Sequence, residues 1–329
     1  MEYRRLGSSG LKLSVLSYGS WVTFANQVDK EKAKELMRTA YDVGVNFFDN
    51  AEVYADGQSE EIMGSALADL GFSRDSYCVS SKVFWGGEHV TQKGLHRKHI
   101  MEACHKALKR LRVDYLDLYF CHRPDEDTPI IETVWAMHHL VEQGKILYWG
   151  TSEWSAQQIA EAILLAEKNN LIPPTMEQPQ YNMFSRQRLE GEYLSLFEKY
   201  SYGTTIWSPL AGGILSGKYN TQIPQKSRAN VSGLEWFRER ITSKEGQEQL
   251  EKVKKMTTIS HQLGCSMTQL AIAWCLNNPN VSTVLLGASS ISQLKENLKS
   301  LDFQNKIDTS IMDDIDEILG NKPPPAPSY

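Results

Sequence analysis

Four residues with side chains suited to carbonyl chemistry follow three successive apolar segments of the chain. Asp49 ends the first of these segments, and Tyr54 stands five positions farther on. Lys82 lies near the end of the second segment, and His122 follows the third. Hydride delivery to a carbonyl carbon leaves negative charge on the carbonyl oxygen, so the reaction needs a proton donor beside that oxygen. These four residue types could together supply and control such a donor.

A division of roles among the four side chains follows from their ordinary acid–base properties. The phenol of Tyr54 can donate a proton, but with a pKa of about 10 it is a slow acid at neutral pH. The ammonium group of Lys82 would stabilise the phenolate and lower that pKa, and Asp49 could hold Lys82 charged and in place. The imidazole of His122 could orient the carbonyl by a hydrogen bond.

Each of these residues also has a simpler interpretation when it is taken alone. An aspartate after a strand is more often a cap, and a tyrosine is more often half-buried core. A lysine usually faces solvent, and a histidine is more often a structural residue with its hydrogen bonds satisfied. Four suitable residue types at three consecutive strand ends favour a shared catalytic site over four unrelated structural roles.

The segments that position these residues alternate between strand and helix patterns along the chain. After a small predicted hairpin, the predicted strands are Val15–Gly19, Val45–Asp49, Tyr77–Val83, Tyr115–Cys121, Lys145–Thr151, Thr175–Gln180, Thr204–Ser208 and Ser282–Leu286. The predicted helices lie near residues 29–43, 59–70, 97–111, 129–143, 155–169, 189–200, 245–263, 266–277 and 290–300.

This alternation predicts an α/β fold, a closed (β/α)₈ TIM barrel with an N-terminal β-hairpin and long loops at the C-terminal face. An open doubly wound sheet is the competing fold. No G-x-G-x-x-G fingerprint follows any predicted strand, which disfavours it. No Pro/Gly/Ser-rich linker divides the chain, so we expect one domain over residues 1–329, with 318–329 as an extended, proline-rich tail. The tail could be a peptide ligand, although a loose terminus is the more frequent case.

Composition excludes several classes of function. The chain has 329 residues, 41% hydrophobic content and a formal net charge of −5, with no block of one sign that would indicate nucleic-acid or membrane-surface binding. The five cysteines include no CxxC pair, so neither a zinc site nor a dithiol is indicated, and no metal is expected. The N-terminal residues lack the apolar core of a signal peptide, and no stretch would span a bilayer. We therefore expect a cytoplasmic protein without direct membrane insertion.

Longer motifs resemble the aldo-keto reductase family, and within it the beta subunits of Shaker-type potassium channels with their bacterial and plant relatives. The segment 46–54, Asn-Phe-Phe-Asp-Asn-Ala-Glu-Val-Tyr, is similar to the family's second-strand signature. The similarity covers nearly the whole chain. The channel-branch motifs include Phe-Trp-Gly-Gly at 84–87, Trp-Gly-Thr-Ser at 149–152, Trp-Ser-Pro-Leu-Ala at 207–211, Ser-Gly-Lys-Tyr at 216–219 and Leu-Leu-Gly-Ala-Ser at 285–289.

The resemblance implies a catalytic role for each of the four residues. Tyr54 would be the general acid and Lys82 would tune it, with Asp49 holding Lys82 and His122 orienting a small carbonyl substrate. The channel beta subunits carry Asn at the position of His122, whereas ordinary family reductases carry His. This difference favours turnover over a purely regulatory role. Trp21 and Trp85 would form aromatic walls of the substrate pocket beside Tyr54 and His122, although both could instead be core aromatics.

The resemblance also implies NADP(H) as the cofactor, extended over the barrel mouth. Ser152 and Gln178 would bind its carboxamide, and Trp207 would lie under the nicotinamide ring. Ser208, Leu210, Ala211 and Ser216 would lie near the pyrophosphate, Lys218 and Arg228 would form a strap, and Ser289 at a helix start would suit the 2′-phosphate. Glu296 and Asn297 would face the adenine. The remaining expected cofactor contacts are Ser20, Trp21, Gln27, Asp49, Glu153, Pro209, Gly213, Gly287 and Gln293.

Two departures from the family pattern bear on cofactor binding. Glu153 stands where the channel beta subunits usually have Arg, and its negative charge would weaken the binding of a phosphate-bearing cofactor unless it points away. Gln293 stands where many other family reductases carry Arg to grip the 2′-phosphate. Because Gln has no charge, we expect a modest preference for NADPH over NADH.

Other functions remain as alternatives. The segment 212–219 nearly fits the P-loop G-x-x-x-x-G-K-[ST], but Tyr219 replaces the Mg²⁺-binding hydroxyl and no helix can start there. A phosphate-handling barrel isomerase is disfavoured, because the sequence shows no catalytic Glu at the end of a predicted strand. The resemblance also implies a cofactor-sensing subunit with a potassium channel as its partner, and a homotetramer with four-fold symmetry.

In segment 233–240, Trp236 and Phe237 look exposed. The segment would cover the strap, touch a neighbouring subunit, or simply pack locally, which is the more frequent case.

Overall fold

The computed structural model describes residues 1–21, 23–24, 28–225, 227–230 and 235–324. An antiparallel hairpin, β1 (Tyr3–Arg5) and β2 (Lys12–Ser14), precedes eight parallel strands. These are β3 (Leu16–Gly19), β4 (Phe47–Asp49), β5 (Cys78–Val83), β6 (Leu116–Cys121), β7 (Ile146–Thr151), β8 (Met176–Glu177), β9 (Gly203–Ile206) and β10 (Thr283–Leu286). They pair in sequence order, and β10 pairs with both β9 and β3, so the barrel is closed. The predicted TIM barrel is confirmed.

Helices surround the barrel. They are α1 (Lys30–Asp42), α2 (Gln58–Leu70), α3 (Arg97–Leu111), α4 (Ile130–Glu142), α5 (Ala156–Lys168), α6 (Leu194–Tyr200), α7 (Glu235–Thr242), α8 (Lys244–Gln262), α9 (Met267–Leu276), α10 (Ile291–Leu298) and α11 (Thr309–Leu319). Several begin at a side-chain cap that the sequence makes visible. Asp29 accepts from the backbone N–H of Lys32, and Ser155 and Ser266 each start a capping box.

Alternation along the barrel strands separates an apolar layer from a polar one. Side chains two positions apart lie on the same face of a strand. Phe47 therefore shares a face with Asp49, and Phe120 shares one with His122. The lower layer forms a separate apolar cluster with Leu6 of the hairpin segment, which packs against the strands. The upper layer, at the carboxyl ends of the strands, holds the polar residues that the sequence analysis selected.

The C-terminal part contains two helices that the sequence analysis did not predict, α7 and α11. Helix α11 is capped by Asp308 and buries Ile315 and Leu319 against the barrel's helical layer, so the chain becomes extended only after Gly320 rather than at residue 318. The next residue, Asn321, donates a hydrogen bond from Nδ2 to the carbonyl oxygen of Met183 at 2.9 Å. The first part of the expected tail is thus anchored, and residues 325–329 lie outside the described residues.

Three further expectations were inexact. The sixth strand is only Met176–Glu177 because Pro179 cannot donate to the ladder. A π-turn at Arg188–Glu192 delays the start of α6 to Leu194. Phe237 is fully buried, in edge contact with Tyr219, so its part of the segment packs locally, while Trp236 is 49% exposed. Among the described helices, none is long and apolar enough to cross a membrane.

Candidate active site

Three strand ends bring the four predicted catalytic residues together. Asp49 ends β4, Lys82 lies one residue before the end of β5, and His122 follows β6. Tyr54 begins the 3₁₀ turn that leads into α2. Lys82 is completely buried, and its Nζ donates to Asp49 Oδ2 at 2.6 Å, to the carbonyl oxygen of Asn50 at 2.7 Å and to Tyr54 Oη at 3.2 Å.

The hydrogen bonds of Lys82 fix the direction of the Tyr54 proton. An ammonium group has three protons, and the three acceptors around Lys82 use all of them. The oxygen of Tyr54 therefore accepts, and its own proton remains to be donated elsewhere. The other oxygen of Asp49 accepts from Ser80 Oγ at 2.8 Å and from Gln178 Nε2 at 3.2 Å, so the carboxylate cannot rotate away from the ammonium.

Burial dominates the acid–base state of Tyr54 and Lys82. It raises the pKa of Tyr54 well above its ordinary value, with the Asp49 carboxylate acting in the same direction and the Arg123 guanidinium opposing both. Burial also lowers the pKa of Lys82, against the stabilising effect of the Asp49 charge and hydrogen bond. The expectation of a lowered phenol pKa thus gives way to a net rise, because desolvation outweighs nearby positive charge. Burial therefore favours the neutral, protonated form of the Tyr54 phenol.

His122 is neutral for a related reason. Burial lowers its pKa well below the ordinary value, and the positive charges of Lys82 and Arg123 lower it further. Its ring contacts Tyr54 edge-on, at a centroid distance of 5.9 Å, and Trp85 at 5.2 Å. Its Nδ1 is buried and has no hydrogen-bond partner within the described ranges. A neutral imidazole carries one N–H and can donate a single hydrogen bond to a carbonyl oxygen.

A cleft of about 860 Å³ opens above this group at the barrel mouth. Trp21 and Trp85 line it and are 37% and 38% exposed, as expected for walls rather than core residues. Trp21 meets Trp207 edge-on at a centroid distance of 5.9 Å. Most of the residues expected to bind cofactor also line the cleft, namely Trp21, Asp49, Ser152, Gln178, Trp207, Ser208, Pro209, Leu210, Gly213, Ser216, Lys218, Gly287, Ser289, Gln293, Glu296 and Asn297.

Five expected cofactor residues are placed differently or lie outside the description. Ser20 is buried and donates to the carbonyl oxygen of Asp49, and Ala211 is buried beneath the cleft. Glu153 does not line the cleft. Gln27 is not among the residues that the structure describes. Arg228 begins a short 3₁₀ turn, of which the structure describes only the backbone at this residue.

The far half of the cleft, here called the cofactor arm, consists of the loop after β9 and the start of α10. Three glycines determine the course of its backbone. Gly212 and Gly213 have positive φ angles of 73° and 108°, and Lys218 Nζ lies 3.0 Å from where a side chain on Gly213 would begin. A side chain on Gly287 would meet no atom within 4 Å and would enter the cleft. The glycines, hydroxyls and lysine of this arm fit an extended phosphate-bearing dinucleotide.

The carboxylate of Glu153 is turned away from the cleft lining, toward Trp207, Gln180 and Arg188. Its Oε1 accepts from the indole Nε1 of Trp207 at 2.9 Å and from the backbone N–H of Gln180 at 2.6 Å. Arg188 Nε lies 3.7 Å from its other oxygen. Glu153 therefore fixes the indole of Trp207, and Arg188 partly balances its charge.

Helix α10 begins where the sequence predicts. Ser290 is its N-cap, and its hydroxyl accepts from the backbone N–H of Gln293. Ser289 donates from its backbone N–H and its hydroxyl to Gln293 Oε1, at 3.0 and 3.1 Å. This arrangement leaves the Gln293 amide group as a neutral donor at the cleft.

Arg123 is a cleft residue that the sequence analysis missed. It follows His122 directly, donates from Nη1 to the carbonyl oxygen of His122 and to Ser152 Oγ, and places its guanidinium 5.5 Å from the ring centroid of Trp85. The available signal was a charged residue at the end of a barrel strand, where catalytic side chains gather. Thr23, Gln225, Ser227, Asn230 and Thr268 also line the cleft without having been predicted.

Comparison with known proteins agrees with this geometry. The family model described as "Aldo/keto reductase family" matches residues 15–320. The chain is 49% identical, over the full length of both proteins, to a "Probable voltage-gated potassium channel subunit beta" of Oryza sativa subsp. japonica. It is 48% identical, again over both full lengths, to a protein of the same description from Arabidopsis thaliana.

Proposed function

Because this chain belongs to the aldo/keto reductase family and is therefore an oxidoreductase, we propose that it reduces aldehydes or ketones to alcohols with NADPH. The observation that carries this proposal is the set of three hydrogen bonds from Lys82 Nζ to Asp49, Asn50 and Tyr54. That set uses every ammonium proton and leaves the phenol proton of Tyr54 for a substrate oxygen.

The chain's own residues would control protonation and substrate position. Tyr54 donates its proton to the carbonyl oxygen, and the resulting phenolate accepts the hydrogen bond from Lys82. His122, held neutral by burial, donates a hydrogen bond to the same oxygen and orients the carbonyl. Trp21 and Trp85 limit the entry of water beside it. A bound NADPH supplies the hydride.

NADPH would be held along the cofactor arm. Trp207 offers its indole face to the nicotinamide ring, while Ser152 and Gln178 bind the carboxamide. Both side-chain hydrogen bonds that Gln178 makes to described residues use Nε2, which leaves Oε1 as an acceptor for an amide N–H. Lys218 and Arg228 would act on the phosphates, and Ser289 with Gln293 on the 2′-phosphate. Glu296 and Asn297 would border the adenine.

A panel of neutral and charged aldehydes and ketones, followed by the loss of NADPH absorbance, tests this proposal. We expect rapid consumption with at least one carbonyl compound, and slower consumption with NADH in place of NADPH. The proposal fails if no member of the panel is reduced while titration shows that NADPH binds. A chain that binds neither nucleotide would contradict the cofactor assignment as well.

We propose regulation of a potassium channel as a second function, because two relatives over the full length are described as voltage-gated potassium channel beta subunits. We further propose a cytoplasmic location, which fits five cysteines that are all buried free thiols, and a homotetramer with four-fold symmetry. Light scattering at micromolar concentration should give four times the monomer mass of 37.3 kDa. A monomer would contradict the tetramer, and failure to co-purify with a co-expressed voltage-gated channel would contradict the channel role.

A further inference from the structure

The guanidinium of Arg123 occupies an unusual place in the cleft. It lines the cleft together with Tyr54 and His122. It is only partly buried, and it lies 5.5 Å from the ring centroid of the exposed wall residue Trp85. An arginine stacked on an aromatic ring keeps a fixed orientation, because its planar group loses few conformations there.

The hydrogen bonds of Arg123 engage only one of its nitrogens. Nη1 donates to the carbonyl oxygen of His122 and to Ser152 Oγ. Within the part of the chain that the structure describes, Nε and Nη2 donate to no residue, and no carboxylate pairs with the guanidinium. The Nε–Nη2 edge is one of the two edges on which arginine binds a planar carboxylate with two parallel hydrogen bonds.

In the half of the cleft that contains Tyr54 and His122, the positive charge of Arg123 is not balanced by any described carboxylate. Asp49 and Lys82 neutralise each other at 2.6 Å, and burial keeps His122 and Tyr54 uncharged. The carboxylate of Asp125, two residues along the chain, accepts from the backbone N–H of Leu95 and the hydroxyl of Thr128. The carboxylate of Glu153 is engaged by Trp207 and Gln180. A positive group with one open edge therefore stands beside the position where a carbonyl would react.

We propose that Arg123 is a substrate-binding residue and that the preferred substrates are carbonyl compounds carrying a carboxylate. This inference rests on the proposed reductase function and narrows its substrate class. The carboxylate accepts two hydrogen bonds from the Nε–Nη2 edge while the carbonyl oxygen meets Tyr54 and His122. Two points of attachment hold the carbonyl in place, which raises kcat/KM for acids relative to neutral analogues.

Two nearly isosteric aldehydes test the proposal, 4-formylbenzoate and the neutral 4-formylbenzamide. Wild-type enzyme should favour the benzoate in kcat/KM. Arg123→Gln should lower the benzoate-to-benzamide ratio roughly 10- to 100-fold, the range of a charge-assisted hydrogen-bonded pair. Because the ratio is compared, any effect of Arg123 on the acidity of Tyr54 cancels. Arg5→Gln makes the same change of charge at an exposed position on the hairpin strand β1, outside the cleft, and should leave the ratio unaltered.

A binding measurement separates this inference from the reductase function. Calorimetry should detect benzoate, but not benzamide, on the NADP⁺-loaded wild-type protein, and Arg123→Gln should lose the benzoate signal. An unchanged aldehyde ratio in Arg123→Gln, or equal binding of benzoate by both proteins, overturns the role of Arg123. If benzoate binding depends on Arg123 while neither aldehyde is reduced, the anion site stands and the reductase function is contradicted.

Discussion

The reaction centre, formed by Asp49, Tyr54, Lys82 and His122, and the cofactor arm belong to one cleft, but their charged groups differ in burial and pairing. At the reaction centre, Asp49 and Lys82 are buried at strand ends and paired at 2.6 Å. In the cofactor arm, Lys218 and Gln293 are exposed on a loop and at a helix start. The reaction centre is therefore preorganised by the barrel itself, whereas the polar groups of the arm are exposed to solvent. Perturbing the first should cost stability, and perturbing the second should cost binding.

The largest effect is expected at Lys82. Lys82→Met removes the cation and leaves the Asp49 carboxylate buried without its charge partner. Breaking a buried pair from one side typically costs about 3–5 kcal/mol of unfolding free energy. Denaturant unfolding would measure the loss. Asp49→Asn combined with Lys82→Met removes both charges and should recover part of it, whereas additive losses in the double variant would contradict a coupled pair.

Glu177 differs from Asp49 because it is a fully buried barrel carboxyl that forms no ion pair with any described residue, although the charge of Arg188 acts on it. Burial raises its pKa to about 8, with the Glu153 charge adding to the rise and a hydrogen bond from Thr151 opposing it. Its Oε1 has no partner among the residues described. The folded protein therefore keeps a proton that the unfolded chain releases above about pH 4.5.

Stability should consequently fall as pH rises between about 4.5 and 8, because the unfolded chain binds fewer protons across that window. The contribution is about 1.4 kcal/mol per pH unit. Glu177→Gln should remove this slope and be more stable than wild type at the upper end of the window. Parallel stability curves for the two proteins, measured by thermal unfolding at several pH values, would contradict a raised pKa at Glu177.

In the cofactor arm, Lys218→Ala should weaken nucleotide binding without unfolding the protein. A charge-assisted hydrogen bond contributes about 1.5–3 kcal/mol, and Lys218 lies exposed beside Gly213. Titration with NADPH and NADH distinguishes two roles, because a larger loss for NADPH indicates contact with the 2′-phosphate. We expect the larger loss for NADPH, and the sequence predicts the same for Arg228→Ala. Equal losses would show that the strap holds only the pyrophosphate common to both nucleotides.

The smallest effect is expected at Glu153, which does not line the cleft but holds the cleft residue Trp207. Glu153→Ala removes the acceptor of the Trp207 indole N–H and should weaken NADPH binding by about 1 kcal/mol. Glu153→Gln keeps an oxygen acceptor and serves as the matched control, which should restore most of the affinity. Equal affinity of the alanine variant and wild type in fluorescence titrations would show that Trp207 needs no anchor.

The contrast between the barrel and its loops also explains what could be predicted from the sequence. The barrel followed from apolar strands alternating with capped helices, and three strand ends were enough to bring Asp49, Lys82 and His122 together. Helix α11 was missed although its signals are present in the sequence: Asp308 is its N-cap, Gly320 ends it, and the buried Ile315 and Leu319 are four positions apart. Phe237 seemed exposed among charges, but it packs against Tyr219 in the loop after β9, a contact that no local pattern indicates.

The directions in which side chains point could not be predicted from the sequence. Glu153 could be identified as a negative charge near the cofactor site, but only its bonds to Trp207 and Gln180 show that it faces away. Arg123 carried no sequence signal beyond its place after His122, because its orientation depends on Ser152 and Trp85 from other strand ends. Such contacts join residues distant in the chain and arise only when the barrel closes.

Proton donation by Tyr54 is the step on which the proposed reduction depends. Single-turnover reduction of an aldehyde by NADPH-loaded Tyr54→Phe protein tests it most directly, because product release does not enter the measured rate. Phe keeps the ring and removes only the hydroxyl, so NADPH affinity should remain that of wild type while the rate falls ~10²–10⁴-fold. A variant that retains more than about half of the wild-type single-turnover rate, with NADPH bound, would contradict the assignment.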